Sequence, residues 1–289
     1  MASAQFINPY HAQAALATSY EGGERALLEA ILPLVNYIEI TPDTIAEMTD
    51  DGARPNPNII AELKDIGSDA QLIAHGVGLS IGSHDGYSEP YLRLLDQLFS
   101  QFDMSWHSEH LAYTSVDGES LGTMLALPRT NAVLDLVCER VRRVQARYGV
   151  PFLLENVVHL LPDYGGEYSD AAFLNQIAEN TGCGLILDAY NLECDSINYG
   201  FDIHAFLEEL HLKNVREIHL AGGVQHRGFQ LDVHSRTTAD STLELSRMVL
   251  TQSPNVRAVT YEFLREAIPY LGQTTIRREL ARIGKSLKL

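Results

Sequence analysis

The sequence predicts an α/β protein built as a single TIM-like (β/α)8 barrel. Three observations carry this prediction. Short apolar runs alternate with longer segments of helical periodicity from end to end. The strand-like runs number eight, and no linker-like or low-complexity stretch divides the 289 residues. One domain spanning residues 1–289 is therefore expected, with any active site where the C-terminal ends of the barrel strands converge.

The strand runs fall at 14–20, 35–41, 72–80, 104–113, 151–157, 184–191, 215–221 and 258–264. Each is rich in aliphatic or β-branched residues and is bounded by turn residues, as a strand buried on both faces requires. Between them lie helical segments at 21–35, 88–102, 130–149, 169–182, 202–213 and 239–252. Several of these open on Ser, Thr or Asp, whose side chain can satisfy the free amides of a first turn.

Hydrophobic residues make up 45% and charged residues 20% of the chain, which excludes disorder. No apolar run approaches the roughly 20 residues of a spanning helix, and the N-terminus lacks the basic start and apolar core of a secretion signal. Lys and Arg total 21 against 38 Asp and Glu, a formal charge of −17 that disfavours nucleic acid as a partner. Three cysteines, Cys138, Cys183 and Cys194, form no C-x-x-C pair, which argues against a disulfide framework or thiolate zinc site and suits a cytoplasmic location.

Six of the eight strand runs end in an ionisable side chain. His75 lies in LIAHG and His110 ends SWHSEH. By two-residue alternation, Trp106, Ser108 and His110 share one face of that strand, and His107 and Glu109 share the other. Glu155 closes PFLLE and is followed by Asn156; Asp188 closes GLILD, with Asn191 three residues later. His219 lies in EIHLAGG, where small residues allow close approach of a loop or ligand, and Glu262 ends AVTYE. The seventh loop adds Asp232 and His234 in LDVHS, a carboxylate and an imidazole that would share one side of an extended segment.

Eight buried ionisable groups aimed at one barrel mouth need a counter-charge. A centre of two or three bridged metal ions supplies it, and His75, His110, His219, His234, Glu155, Asp188, Asp232 and Glu262 are too many donors for one ion. Nitrogen and oxygen donors without thiolate suit iron, manganese or zinc. Spacing alone leaves redox iron and hydrolytic zinc both open.

The segments AHGVGLSIGS, SEHLAY, LLENV, GCGLILDAYN, EIHLAGG, DVHS and YEF occur in that order. Together they resemble the multinuclear non-haem iron-dependent oxidative enzymes, over residues 14–265. The resemblance implies a TIM-like barrel binding two or three irons, mixed Fe(II)/Fe(III), with O2 as co-substrate. It implies oxidative remodelling of a residue, most often cysteine, in a ribosomally made precursor peptide, usually with a small leader-recognition partner protein. The eight donors take ligand roles in this resemblance, and Asn191 becomes a ninth. Glu109 stands where many relatives have Asp, and Tyr190 where an amide is common.

The alternative is a metal-dependent hydrolase or isomerase of the xylose-isomerase-like or endonuclease-like barrel type. A non-catalytic metal-binding partner of a peptide carrier is a third class. His84 and Asp85 near the third strand, and Gln225, His226 and Arg227 before the Asp-x-His pair, read as solvated loop. His159, His204 and His211 are assigned no chemistry.

Overall fold

The computed structural model describes residues 14–50, 52–66, 69–162 and 165–289. The stretch at 1–13, on which the reading of the N-terminus rests, lies outside them. Eight parallel strands close a barrel: β1 (Ala15–Ser19), β2 (Tyr37–Ile40), β3 (Gln71–Gly76), β4 (Met104–His110), β5 (Phe152–Glu155), β6 (Gly184–Asp188), β7 (Val215–Leu220) and β8 (Ala258–Tyr261). Each pairs with its neighbours in sequence, and β8 pairs with β1 to complete the ring. Helices α1 (Arg25–Ile31), α2 (Pro57–Ile66), α3 (Glu89–Phe99), α4 (Asn131–Tyr148), α5 (Asp170–Thr181), α6 (Ala189–Tyr199), α7 (Ile203–Glu209), α8 (Asp240–Gln252), α9 (Ile268–Leu271) and α10 (Gln273–Leu287) accompany the strands.

The local causes are those the sequence predicts. Ser88, Thr130, Ser169 and Asp202 cap α3, α4, α5 and α7, each side chain accepting a hydrogen bond from a first-turn amide. Gly149 and Gly182 end α4 and α5 in the left-handed conformation, with φ of 69° and 72°. Ile38, Ile40, Leu154, Leu185, Leu187, Ile218 and Leu220 are buried in the main core of the molecule. On the inner face, Ala17, Ile73, Trp106, Leu153, Ile186 and Ala258 form a separate apolar cluster. Tyr37 packs on Trp106 there, with ring centroids 5.0 Å apart.

Several strands end before the predicted runs do, the fifth at Glu155 and the eighth at Tyr261 among them, and two of these ends have visible reasons. The third stops at Gly76, where the Asp43 carboxylate accepts hydrogen bonds from the amides of Val77 and Gly78. The sixth stops at Asp188, which becomes the cap of α6 by accepting from the Asn191 amide at 2.7 Å. Asn191 thus sits on a first helical turn rather than on a strand.

The fourth run, expected as one strand over 104–113, divides after His110. Ala112–Val116 instead pairs antiparallel with Glu119–Ala126. This hairpin and two others, Ala46–Thr49 with Gly52–Pro55 and Val224–His226 with Phe229–Leu231, follow β4, β2 and β7 respectively. All three therefore lie on the C-terminal side of the barrel. Few of their residues are buried, so they lack the apolar alternation by which a strand is read from sequence. Among the described residues, no helix is long and apolar enough to cross a membrane.

Candidate metal centre

Strand register brings the predicted donors together. His110 on β4 lies beside Glu155 on β5, and Asp188 on β6 beside His219 on β7. Glu155 is the hub. Its Oε2 lies 2.9 Å from His75 Nε2 and 3.3 Å from His110 Nε2, while Oε1 lies 3.4 Å from His219 Nδ1. Glu262 Oε2 approaches the same His219 Nδ1 at 3.1 Å. Two donor sets meet on Glu155, His75–His110–Glu155 and Glu155–Asp188–His219–Glu262, each with its ligand atoms within 4.8 Å of one another, as those of Glu39, His75 and His219 also are. The first two share Glu155, whose two oxygens face different sets.

The outer nitrogens are held from behind. His75 Nδ1 meets Ser108 Oγ at 3.0 Å, and His110 Nδ1 meets the Gly76 carbonyl at 2.9 Å. Both rings therefore present Nε2 inward, and Ser108 serves from the same strand face as His110. His107 and Glu109, on the opposite face, pair with each other at 2.8 Å. Their surroundings are Phe99, Tyr148 and Phe152, outside the barrel.

The donor atoms lack ordinary partners. His75 Nε2, Glu155 Oε2, Asp188 Oδ2, Asn191 Oδ1, His219 Nδ1, Asp232 Oδ1, His234 Nε2 and Glu262 Oε2 are all buried and have no hydrogen-bond partner beyond their close approaches to one another. A native interior pairs such atoms almost without exception, so a set that converges unpaired fits a cation. The charges agree. Burial, with the like charges of Glu155, Asp232 and Glu262, pushes the Asp188 carboxyl well above its usual range. Burial would also raise Glu155, but the imidazoles of His110, His219 and His75 outweigh it and hold the carboxyl well below the usual range. Burial would lower His75, yet Glu155 and Glu39 bring it up to about 9.

Asp232 and His234 form a third donor pair, with Asp232 Oδ1 2.8 Å from His234 Nε2. Their segment is not the extended one expected, because His234 takes a left-handed backbone with φ of 41°. The two side chains still meet. Asp232, Glu262 and Asp188 together overcome the burial of His234 and raise it to about 10. The hairpin before them is fastened to α6, where Gln230 donates to the Tyr190 hydroxyl at 2.6 Å and exchanges two hydrogen bonds with Asn198. Tyr190 in turn donates to the Leu231 carbonyl.

Sequence reasoning missed Glu39 and Glu217. Both are buried, and both lie near His219 Nε2, at 3.3 and 3.4 Å. Burial raises Glu39 to about 7. The signal was present in YIEI and REIHL, each a glutamate within an apolar strand: Glu39 stands one residue before its strand's end, as His75 and His219 do, and Glu217 lies mid-strand. Of the remaining residues, Asp85 accepts from the Gly118 amide, Gln225, His226 and Arg227 occupy an exposed hairpin tip, and His84 and His204 are exposed. His211 pairs with Glu179 on the surface.

His159 departs from its bland reading. It sits between Asp170 at 3.5 Å and Asp195 at 2.6 Å, tying the segment after β5 to α5 and α6. Those two carboxylates raise it to about 10. An unfolded histidine titrates near 6.5. The stability this pair contributes is therefore complete below about pH 6.5 and lost as pH climbs towards about 10. Thermal melts should show wild type above His159→Gln by a few degrees at pH 6, with the gap closing by pH 10. A gap independent of pH would refute this.

A closed parallel barrel with imidazoles and carboxylates gathered at its C-terminal mouth defines a class of (β/α)8 proteins with side chains that could hold metal ions there. Its shape is shared with the IOLI protein solved with a bound zinc atom (TM-score 0.57, 14% identity, 95% of this chain and 98% of that one). Endonuclease IV from Thermus thermophilus is similar too (TM-score 0.54, 16% identity, 93% and 99%). At such identities the likeness is one of fold. The profile of the RiPP precursor modification enzymes MbnB/TglH/ChrH, where RiPP denotes a ribosomally made and then modified peptide, matches residues 22–285. The chain belongs to that family. A UPF0276 protein of Anaeromyxobacter sp. (strain Fw109-5) is 34% identical over 216 residues, covering 75% of this chain and 74% of the relative.

Proposed function

We propose that this enzyme oxidises a cysteine residue of a ribosomally made precursor peptide, with two or three iron ions, mixed Fe(II)/Fe(III), as cofactor and O2 as co-substrate. The carrying observation is the convergence of buried, unpaired nitrogen and oxygen donors on Glu155, in a chain of a peptide-modifying family. The ligands in this reading are His75, His110, Glu155, Asp188, Asn191, His219, Asp232, His234 and Glu262. A set of imidazole and carboxylate without thiolate fits iron. Bound there, iron would supply electron transfer and a Lewis acid able to lower the pKa of a substrate thiol.

The chain's own residues do the rest. Glu155 holds its two oxygens towards separate donor sets and so sets the spacing of the centre. Ser108 and the Gly76 carbonyl fix the rings of His75 and His110. The apolar floor around Trp106 keeps water from reaching the centre from below, and the three hairpins leave the mouth as the side from which a peptide approaches. A small leader-recognition partner protein belongs to the same reading, as does a cytoplasmic setting, which the three free, buried cysteines suit.

Anaerobic reconstitution with Fe(II), followed by O2 and a cysteine-containing precursor, should change the peptide mass. Unchanged mass across cognate candidates encoded beside the gene would sink the proposal. Full zinc occupancy with cleavage of abasic DNA would instead establish the hydrolytic alternative, against which the net charge of −17 already counts.

A further inference from the structure

We infer that Glu39 is a positioning residue, backed by Glu217, that fixes the ring of His219 so that Nδ1 rather than Nε2 faces the metal centre. This rests on the reading of the barrel mouth as a metal centre. His75 and His110 turn Nε2 towards Glu155 and rest Nδ1 on Ser108 and Gly76. His219 is reversed. Its Nδ1 lies 3.1 Å from Glu262 and 3.4 Å from Glu155, while its Nε2 points down the barrel to Glu39 at 3.3 Å and Glu217 at 3.4 Å.

A neutral imidazole carries one N–H. If Nδ1 offers its lone pair to a metal, the proton resides on Nε2 and needs an acceptor, because His219 is completely buried. Glu217 is already engaged: Oε2 accepts from Trp106 Nε1 at 2.7 Å, and Oε1 accepts from the Thr260 hydroxyl. Glu39 Oε2 is buried without any hydrogen bond, which leaves it as the available acceptor. The register supports this division of labour. Thr260 lies beside His219 on β8, so the Trp106–Glu217–Thr260 chain forms a fixed platform beneath the ring. Glu39, on β2 across the barrel, closes the ring's other approach. The competing arrangement is direct ligation, because Glu39, His75 and His219 also offer donor atoms within 4.8 Å of one another.

Metal alone distinguishes these arrangements, using the full-length apoprotein titrated anaerobically with Co(II). Wild type, Glu39→Ala and Glu39→Gln should bind the same number of ions. Alanine should weaken one ion roughly 10–100-fold and alter its d–d spectrum, and glutamine, whose carbonyl can accept the same proton, should restore most of both. Equal affinity and spectrum in wild type and Glu39→Ala would overturn the inference. So would loss of one whole equivalent in Glu39→Gln, which would make Glu39 a ligand. A wild type that binds no Co(II) would instead overturn the metal-centre reading itself. Should Glu39→Ala not fold by circular dichroism, long-range 15N-histidine NMR of the Zn(II)-loaded wild type decides. An Nε2–H tautomer at His219 is expected, and an Nδ1–H tautomer would refute the inference.

Discussion

Replacing Glu155 by alanine should remove at least one equivalent of bound metal and lower peptide modification by roughly two to three orders of magnitude, the scale seen when a single catalytic electrostatic donor is lost. Glu155 belongs to both donor sets that meet on it, since its oxygens reach His75 and His110 on one side and His219 on the other. The apoprotein should suffer as well. His75 is held at about 9 by Glu155 and Glu39, so at pH 7 it is a buried cation with Glu155 as its nearest counter-charge. Breaking a buried pair by removing one partner costs about 3–5 kcal/mol. Asp188 would be relieved of one repelling neighbour, but the imidazoles lie within 3.4 Å and outweigh it. Metal analysis with thermal melts of the metal-free protein provides the check. Full occupancy in Glu155→Ala would refute the bridging assignment.

Gly223→Ala should have the next largest effect, through the backbone alone. A Cβ at Gly223 would stand 1.9 Å from the Leu231 carbonyl oxygen and 2.6 Å from the Tyr190 hydroxyl. The neighbour that must yield is the strand leading into Asp232 and His234. Forced overpacking of this kind costs about 1–3 kcal/mol. Its consequence should be local: the Asp232–His234 pair loses its place while the His75–His110–Glu155 set stays intact. The expected result is one fewer bound ion, activity down at least tenfold, and a melting temperature lowered by a few degrees. Wild-type metal content and activity would show that the hairpin can give way without moving its donors.

The barrel was legible because its strands are continuous aliphatic runs and its helices carry their caps in the sequence, as at Ser88, Thr130 and Ser169. The donors were legible for a related reason. An ionisable group at the end of such a run is costly unless something compensates it, and six strands repeat the pattern. Glu39 escaped notice although, like His75 and His219, it stands one residue before the end of its strand, and Glu217 escaped because it lies mid-strand. Which way each residue faces inside a closed barrel depends on register with its neighbours, which a single strand does not reveal. The left-handed backbone at His234 was hidden too, since Asp-x-His reads as extended chain. Asp188 reads as a strand end, yet its second task as the cap of α6 follows from Asn191 standing three residues on.

The Tyr37 and Trp106 rings, packed at a tilt of 51°, have one more consequence. They plug the cylinder from within, together with Ile73, Leu153 and Ile186, so the barrel is a blind well rather than a tunnel. A long peptide cannot be threaded through and released from the far end. In the proposed reading it bows inward at a single residue or offers a terminus, and then withdraws along the route by which it came. Each visit therefore exposes a short stretch of chain, and treating a second distant residue means letting go and docking again.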